Sequence, residues 1–252
     1  MSMVTDAIVL HAFDYLETSR ILRLATRDGG VLSVIARGAR RSTRRFGSAM
    51  DLFAEGTATI AHRPGRDLHP LESFDVRAGH ASLGNDLDRF MSAAMLAELV
   101  MRTMSESDHG SAFGALAGAL ARLQGRVGEE ARAEGLASAW MLVSSLGFAP
   151  TMESCARCHA DLDLDADAWF SAASGGTVCD ACHASARAGR YLPAAARRTL
   201  ATWLAGIDAP FPDALDLRAH VRLLREFVQR HLTDDVELRA FAAWAERFPG
   251  RA

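Results

Sequence analysis

The four cysteines of the chain occur as two close pairs, and this pattern restricts the fold more than any other feature of the sequence. The pairs are Cys155-Ala-Arg-Cys158 and Cys179-Asp-Ala-Cys182, with twenty residues between them. Each pair can present two thiolates from one tight turn, and two such turns complete a tetrahedral sulfur shell for Zn²⁺. The spacing therefore predicts a structural four-cysteine zinc knuckle over residues 155–182, with no open position for water.

The residues that follow each pair leave two other interpretations open. His159 and His183 turn both pairs into Cys-x-x-Cys-His, the attachment signature of c-type haem, so a dihaem electron carrier is one alternative. Haem attachment generally requires export, and residues 1–19 contain no Lys or Arg to begin a secretory signal. We therefore expect no export and favour zinc. Either histidine could replace a cysteine as a zinc ligand, although a place on the knuckle surface is the favoured interpretation.

The first eighty residues have the pattern of a small β-domain. Five short apolar or β-branched runs occupy residues 7–10, 20–26, 31–36, 52–61 and 68–76. Asp28-Gly29-Gly30 and Pro64-Gly65 supply turns between them. Five strands in so short a segment fit a closed barrel, which leaves no unprotected edges. We predict a closed-barrel domain over residues 1–80.

The rest of the chain has helical periodicity, which gives an α+β protein overall. Asp86 can cap the first helix, and Gly147 can end the third. Helices are predicted for residues 87–101, 112–123, 129–146, 194–204, 215–232 and 236–248. We therefore predict a helical domain over residues 81–252, interrupted by the zinc knuckle. Its longest nearly uncharged apolar stretch, residues 112–121, is about half of what a membrane-spanning helix needs, so we expect no membrane insertion and a cytoplasmic protein.

Positive charge is concentrated beside the third predicted strand, although the whole chain has a net charge of −3. Seven arginines and only two acids lie between positions 37 and 66. These arginines are Arg37, Arg40, Arg41, Arg44, Arg45, Arg63 and Arg66. Arginines beside a barrel face can neutralise phosphates, and Phe46 could stack on a base. The cluster therefore predicts nucleic-acid binding, with a merely solvated loop as the alternative.

An alternating acidic segment follows the first cysteine pair. Asp161, Asp163, Asp165 and Asp167 superficially suggest a calcium loop. The match fails, because positions six and twelve hold Ala166 and Ala172 instead of the required Gly and Glu. An exposed acidic strand is the better interpretation.

A second basic feature lies in the C-terminal part of the chain. Arg218, Arg222 and Arg225 repeat at helical spacing beside an apolar face. Such a stripe could receive an acidic peptide, although an ordinary solvated helix face would have the same pattern.

Several segments, taken in order, resemble the bacterial recombination mediator family RecO. They are residues 7–10 (AIVL), 17–24 (ETSRILRL), 26–41 (TRDGGVLSVIARGARR) and 146–150 (LGFAP). A cysteine-paired insertion containing Ser174-Gly175-Gly176 follows them. The family usually has Gly after the second cysteine, where this chain has His159, and the last hundred residues match only as generic helices.

The resemblance implies an N-terminal OB-fold, a helical domain and a zinc knuckle. It also implies binding of single- and double-stranded DNA, annealing of complementary strands, and partnership with RecR in helping RecA replace single-strand-binding protein at the nucleoid. The family's basic segment falls on Arg37, Arg40 and Arg41, continued by Arg44 and Arg45, and its metal site falls on the four cysteines. The acidic tail of single-strand-binding protein is a family partner, for which the stripe at Arg218, Arg222 and Arg225 is a possible seat.

The sequence offers no visible machinery for catalysis. It has no phosphate-binding Gly-Lys loop, no Gly-x-Ser-x-Gly elbow and no metalloprotease helix motif. We therefore predict a non-enzymatic DNA repair and recombination mediator. The alternative from another class is a zinc-stabilised protein-interaction module that does not bind DNA directly.

Overall fold

The N-terminal part of the chain folds into five strands. In the computed structural model, which describes residues 2–39, 46, 51–104, 110–186, 189–207, 211, 214–233 and 236–248, every segment predicted to be a strand before residue 80 belongs to this sheet. The strands are β1 (Ser2–Tyr15), β2 (Ser19–Thr26), β3 (Gly30–Ala36), β4 (Glu55–Ala61) and β5 (Leu68–Ala78).

The sheet closes on itself in the order β1-β2-β3-β5-β4, because β1 also pairs with β4. All pairs are antiparallel except β3 with β5, which are joined in parallel from Ser33↔Leu68 to Ile35↔Pro70. Alternate side chains along β4 point inward, as period-2 geometry requires. This closed five-stranded barrel confirms the predicted OB-fold.

The barrel core corrects one expectation about the arginine-rich segment. Phe46 is buried among the inward-facing residues of the barrel, with only 3% of its surface exposed. It therefore cannot stack on a base. Its apolar ring is instead part of the core that includes Leu24, Val34 and Ile60.

Seven helices follow in the described part of the chain. They are α1 (Leu87–Thr103), α2 (Ser111–Gln124), α3 (Gly128–Ser145), α4 (Asp180–Ala186), α5 (Ala194–Leu204), α6 (Ala214–His231) and α7 (Arg239–Ala245). The Asp86 carboxylate caps α1 by accepting a hydrogen bond from the Arg89 backbone N–H at 2.9 Å, as predicted. Gly147, just beyond α3, has a φ of 84°, the left-handed conformation that favours glycine at a helix end.

A three-stranded sheet carries the cysteine region between α3 and α5. Its strands are β6 (Ala168–Ser171), β7 (Gly176–Val178) and β8 (Arg190–Leu192), in the order β7-β6-β8. The acidic residues 161–167 are exposed, but the expectation of a strand there is wrong. The segment turns instead, and the Asp163 carboxylate accepts a hydrogen bond from the backbone N–H of Asp165 at 3.0 Å.

The barrel packs directly against the first helices. Ile8, Leu10 and Phe53 belong to the hydrophobic core that surrounds α1, and not to the core inside the barrel. On the same side, the Arg27 guanidinium lies 4.8 Å from the centre of the Phe113 ring in α2. The predicted domain boundary at residue 80 falls just before a short 3-10 helix, Ala81–Asn85, and stays a prediction. No helix among the described residues is long and apolar enough to cross a membrane.

Candidate metal centre and nucleic-acid interface

The four cysteines converge on one point. Their sulfur atoms all lie within 4.8 Å of one another, and the Sγ atoms of Cys158 and Cys179 are 3.8 Å apart. Four sulfurs placed about 2.3 Å from a zinc ion at the corners of a tetrahedron are separated by about 3.8 Å. The arrangement of Cys155, Cys158, Cys179 and Cys182 therefore fits a tetrahedral Zn²⁺ centre.

The backbone around Cys155 favours a thiolate. Burial of Cys155 opposes its ionisation, but backbone N–H groups of Cys158, Cys179 and Arg157 point at the sulfur and lower the pKa of the thiol to about 6. Hydrogen bonds with the neighbouring thiol groups, first of all Cys179, raise the pKa of Cys182 to about 12. Four thiolates so close together need a cation, which is the charge balance that a divalent metal supplies.

Neither histidine joins this sulfur cluster. The exposed His159 has a left-handed backbone conformation, with a φ of 61°. The RecO family, which this chain resembles, usually has Gly at this position. The His183 ring stacks on the Trp169 indole, with ring centres 3.6 Å apart. Among the described residues, the group able to hold a metal consists of the four cysteines. Convergence of both pairs on one centre also disagrees with two c-type haems, in which each pair would bond to a separate porphyrin.

Close backbone contacts hold the second cysteine pair against the first. A Cβ atom on Gly176 would lie 2.3 Å from the Thr151 carbonyl oxygen, so only glycine permits this approach. The Thr177 hydroxyl donates to the same oxygen at 3.0 Å. From the first pair, an Nη1–H of Arg157 donates to the Cys182 carbonyl oxygen at 3.2 Å. The two knuckles are thus joined by backbone as well as by any shared metal.

A buried arginine ties this region to the helices, and sequence reasoning did not identify it. Arg197 in α5 is fully buried, and its guanidinium donates to four backbone carbonyl oxygens. These belong to Met152, Leu162, Asp163 and Ala166. The side chain therefore satisfies the carbonyls of the irregular segment that connects the two cysteine pairs.

Three of the predicted phosphate-binding arginines meet at one end of the barrel. Arg37 directly follows β3, while Arg63 and Arg66 lie on the turn between β4 and β5. The parallel pairing of β3 with β5 brings these places together, and all three line one groove of about 840 Å³. Gly65 has a φ of 73°, which confirms the left-handed Pro-Gly turn expected there.

The charge in this groove is available to an anion. Arg37, Arg63 and Arg66 are exposed, and within the described ranges none of them forms an ion pair. Two other barrel arginines are paired with acids: Arg20 with Asp14 at 2.8 Å, and Arg27 with Asp6 at 3.2 Å. The groove also includes one carboxylate, Asp67.

The end of β1 and the β1–β2 turn form a wall of the same groove, in which two apolar side chains lie next to the polar Thr18. Tyr15 and Leu16 line the groove and are 42% and 74% exposed. Sequence reasoning missed both residues, although an aromatic residue between two predicted strands of a small barrel was the available signal. Arg40, Arg41, Arg44 and Arg45 lie outside the described residues, so their role stays a prediction from sequence.

The C-terminal arginine stripe divides between two places on α6. Its apolar companions, which include Leu217 and Val221, are buried in the core, while Arg222 and Arg225 are exposed and Arg218 is half-buried. Arg222 lines a cavity of about 310 Å³ between α6 and β8. Arg225 faces a separate, much smaller depression near the start of α7. Arg222 and Arg225 therefore line different depressions, and the role of the three arginines stays a prediction from sequence.

Comparison with known protein families accounts for most of the chain. Residues 1–79 match the family model described as "Recombination protein O N terminal". Residues 84–239 match the model described as "Recombination protein O C terminal". The first match covers the barrel, and the second covers helices α1 to α6 together with the cysteine region.

Full-length relatives give the same result. A protein named "DNA repair protein RecO" from Anaeromyxobacter sp. (strain Fw109-5) is 32% identical over 240 residues, which is 93% of each chain. The protein of that name from Anaeromyxobacter dehalogenans (strain 2CP-C) is 33% identical over 244 residues, again 93% of each chain. A third, from Myxococcus xanthus (strain DK1622), is 31% identical over 229 residues, 90% of this chain and 91% of the relative.

Proposed function

The chain belongs to the RecO family of DNA repair proteins, and from that premise we propose that it is a non-enzymatic recombination mediator that holds DNA in the arginine groove of its barrel. One observation carries this proposal. Arg37 at the end of β3 converges on one groove with Arg63 and Arg66 from the β4–β5 turn, and all three lack acidic partners among the described residues. A groove with this charge attracts a phosphate backbone.

The position of the groove supports nucleic-acid binding. OB-folds commonly receive oligonucleotides on the face of strands β2 and β3 and between the loops that connect β1 to β2 and β4 to β5. Here the groove lies between those two loops and includes the end of β3. Arg40 and Arg41 follow β3 by only a few residues, so we include them, with Arg44 and Arg45, in the proposed DNA-binding set.

Contacts to phosphate suit the annealing of complementary strands. Phosphate contacts position a strand without reading its sequence, and they leave the base edges free to pair. The same arginines can hold a duplex, whose phosphates are equally exposed. We therefore propose that the protein binds single- and double-stranded DNA and accelerates annealing without a nucleotide cofactor or a catalytic residue.

We further propose that the cysteine cluster holds a structural zinc ion. Cys155, Cys158, Cys179 and Cys182 would be its ligands, and a bound Zn²⁺ would supply a cross-link between the two knuckles but no chemistry. A closed shell of four sulfurs leaves no position for a substrate. The zinc-stabilised segment then fixes β6, β7 and β8 beside α5 and α6.

Family membership supports the proposed partners. We propose that the protein works with RecR, contacts single-strand-binding protein, and thereby helps RecA to bind DNA in the cytoplasm. For the acidic tail of single-strand-binding protein, the surface at Arg222 is favoured over Arg225. The Arg222 cavity also contains the buried His220, and neither ring nitrogen of His220 has a hydrogen-bond partner among the described residues.

Salt dependence of DNA binding tests the proposal. The wild type should bind an oligo(dT) strand with an affinity that falls steeply with salt concentration. Replacing Arg37, Arg63 and Arg66 together by Ala should reduce the slope of log K against log salt by about 2, because each lost contact to a single strand contributes about 0.7. Arg239→Ala, an exposed arginine at the start of α7, is the matched control. Absence of DNA binding by the wild type would favour the zinc-stabilised interaction module.

A peptide titration tests the partner surface separately. A synthetic peptide with the last ten residues of the cognate single-strand-binding protein should bind the wild type, and Arg222→Glu should weaken it about tenfold by charge reversal. Arg239→Glu should have no effect. Equal binding by the wild type and Arg222→Glu would show that the acidic tail does not bind at this surface.

A further inference from the structure

Two apolar side chains of the β1–β2 hairpin, Tyr15 and Leu16, lie beside the charged groove, next to the exposed Glu17. Tyr15 ends β1 and Leu16 begins the turn, and 42% and 74% of their surfaces are exposed. Leu16 also has a φ of 54°, a backbone conformation that side chains other than Gly, Asn and Asp rarely adopt. An exposed leucine in a strained conformation next to an exposed tyrosine contributes nothing to the barrel core, which is evidence of a binding role.

The composition of the groove indicates a ligand that has both charged phosphates and a flat apolar face. The arginine wall, formed by Arg37, Arg63 and Arg66, suits phosphates, whereas the hairpin wall suits a flat apolar face. Only an unpaired strand offers both, because the bases of a duplex are stacked inside it. With about 840 Å³, the groove belongs to the size class that takes ligands as large as a nucleotide.

We propose that Tyr15 is the platform on which a base of single-stranded DNA stacks, with Leu16 closing the apolar wall beside it. This inference rests on the proposed function and adds the element that distinguishes a single strand from a duplex. Tyrosine is suited to this task because stacking on an aromatic ring is tolerant of sequence, so the site accepts any base. The phosphates then give affinity for all DNA, and Tyr15 gives preference for the unpaired form.

The relative affinity for intact and abasic strands tests whether a base stacks on the Tyr15 ring. The wild type should bind an oligo(dT) strand about tenfold more tightly than the same strand made of abasic spacers. Tyr15→Ala should bind the two strands equally, and Tyr15→Phe should retain the wild-type difference because the ring remains. Binding of a relaxed, covalently closed circular duplex, which has neither ends nor unpaired loops, should be unchanged in both variants.

Two further variants test whether the preference for intact single strands depends specifically on Tyr15 and Leu16. Phe13→Ala removes an aromatic side chain of β1 that is 44% exposed but does not line the groove, and it should behave as the wild type. Leu16→Gly removes the apolar side chain while relieving the left-handed backbone, so it should fold well and lose part of the preference for oligo(dT). An equal loss in Phe13→Ala and Tyr15→Ala would overturn the assignment to Tyr15.

Loss of DNA binding and loss of base stacking give different experimental results. If the wild type binds no DNA, the proposed function is wrong. If the wild type binds DNA with steep salt dependence, but Tyr15→Ala still prefers intact to abasic strands by the wild-type factor, the arginine groove stands and the stacking platform is wrong. Ultraviolet cross-linking of a strand containing 5-iodo-deoxyuridine supplies a second readout, with Tyr15 as the expected attachment site.

Discussion

The Nε–H group of Arg197 donates to the carbonyl oxygen of Met152 at 2.9 Å, and this hydrogen bond joins helix α5 to the start of the cysteine region. The same guanidinium reaches three further carbonyls of the segment that connects the two cysteine pairs. The metal centre is therefore supported by a helix that contributes no ligand to it. Positioning of this kind is common around metal sites, where the outer contacts orient the ligands.

Arg197→Met should destabilise the protein by about 3 kcal/mol, because it leaves buried carbonyl oxygens without donors. It should also speed the release of zinc to a chelator, since the connecting segment loses its anchor. Urea unfolding and a colorimetric zinc assay measure the two effects. Arg198→Ala, which removes the neighbouring exposed arginine paired with Asp165, should change neither. A zinc-release rate that stays at the wild-type value in Arg197→Met would contradict the anchoring role.

Cys155→Ser should abolish stoichiometric zinc binding and lower stability by several kcal/mol, because binding of a structural metal is coupled to folding. Cys155 is the buried member of the cluster, so its replacement leaves only three sulfur ligands, and a side chain at the protein surface cannot take its place. Metal analysis and thermal unfolding check both points. A variant that folds as well as the wild type without metal would show that the knuckle is held by its backbone contacts alone.

Two glycine substitutions should have opposite effects on stability. Gly176→Ala brings a methyl group to 2.3 Å from the Thr151 carbonyl oxygen and should cost at least about 2 kcal/mol. Gly114→Ala lies in the exposed part of α2 with no atom within 4 Å of the new methyl, and should stabilise the protein by about 0.5–1 kcal/mol. Chemical denaturation of both variants tests the pair. Equal effects would mean that the close approach at Gly176 can relax.

The buried His220 should make stability depend on pH. Burial lowers the pKa of its imidazole from 6.5 to about 4, so the unfolded chain binds a proton between these values while the folded chain does not. Stability contributed by neutral His220 is therefore present above about pH 6.5 and falls as the pH falls toward 4. From about pH 7.5 to about pH 5 the loss should be about 2 kcal/mol.

His220→Phe isolates this effect from other groups that titrate in the same range, such as the cysteines. The variant keeps a ring against Trp203, whose centre lies 5.0 Å from that of the imidazole. Its stability should fall less than that of the wild type over the same pH interval, by about 2 kcal/mol. Parallel pH curves for the two proteins would show that His220 is solvated or hydrogen-bonded in solution.

Local sequence patterns were sufficient to predict the barrel strands and the long helices, but not the short strands β6, β7 and β8 or the short helix α4. The apolar and β-branched runs, the cap at Asp86 and the glycine at Gly147 depend on neighbours in the chain, and the structure confirms them. The cysteine spacing likewise predicted the convergence of four sulfurs. Each of these signals lies within a few residues or in a known spacing, so long-range packing does not alter it.

The errors and omissions concern residues whose environment is set by distant parts of the chain. Phe46 stands among arginines in sequence, yet it is buried in the barrel core. The buried Arg197 has the sequence neighbourhood of an exposed helix face, and its carbonyl partners are more than thirty residues away along the chain. Tyr15 lies near Arg37 because β2 pairs with both β1 and β3, and the pairing of β3 with β5 brings in the distant β4–β5 turn. The acidic segment 161–167 alternates like a strand but turns instead.

Annealing of complementary oligonucleotides coated with single-strand-binding protein is the most direct measurement of the central claim. The wild type should accelerate annealing without ATP, and the variant with Arg37, Arg63 and Arg66 all replaced by Ala should lose most of that acceleration while remaining folded and zinc-bound. Arg239→Ala should match the wild type. Undiminished annealing by the triple variant would contradict the assignment of DNA to this groove, and absence of annealing by the wild type would contradict the mediator function itself.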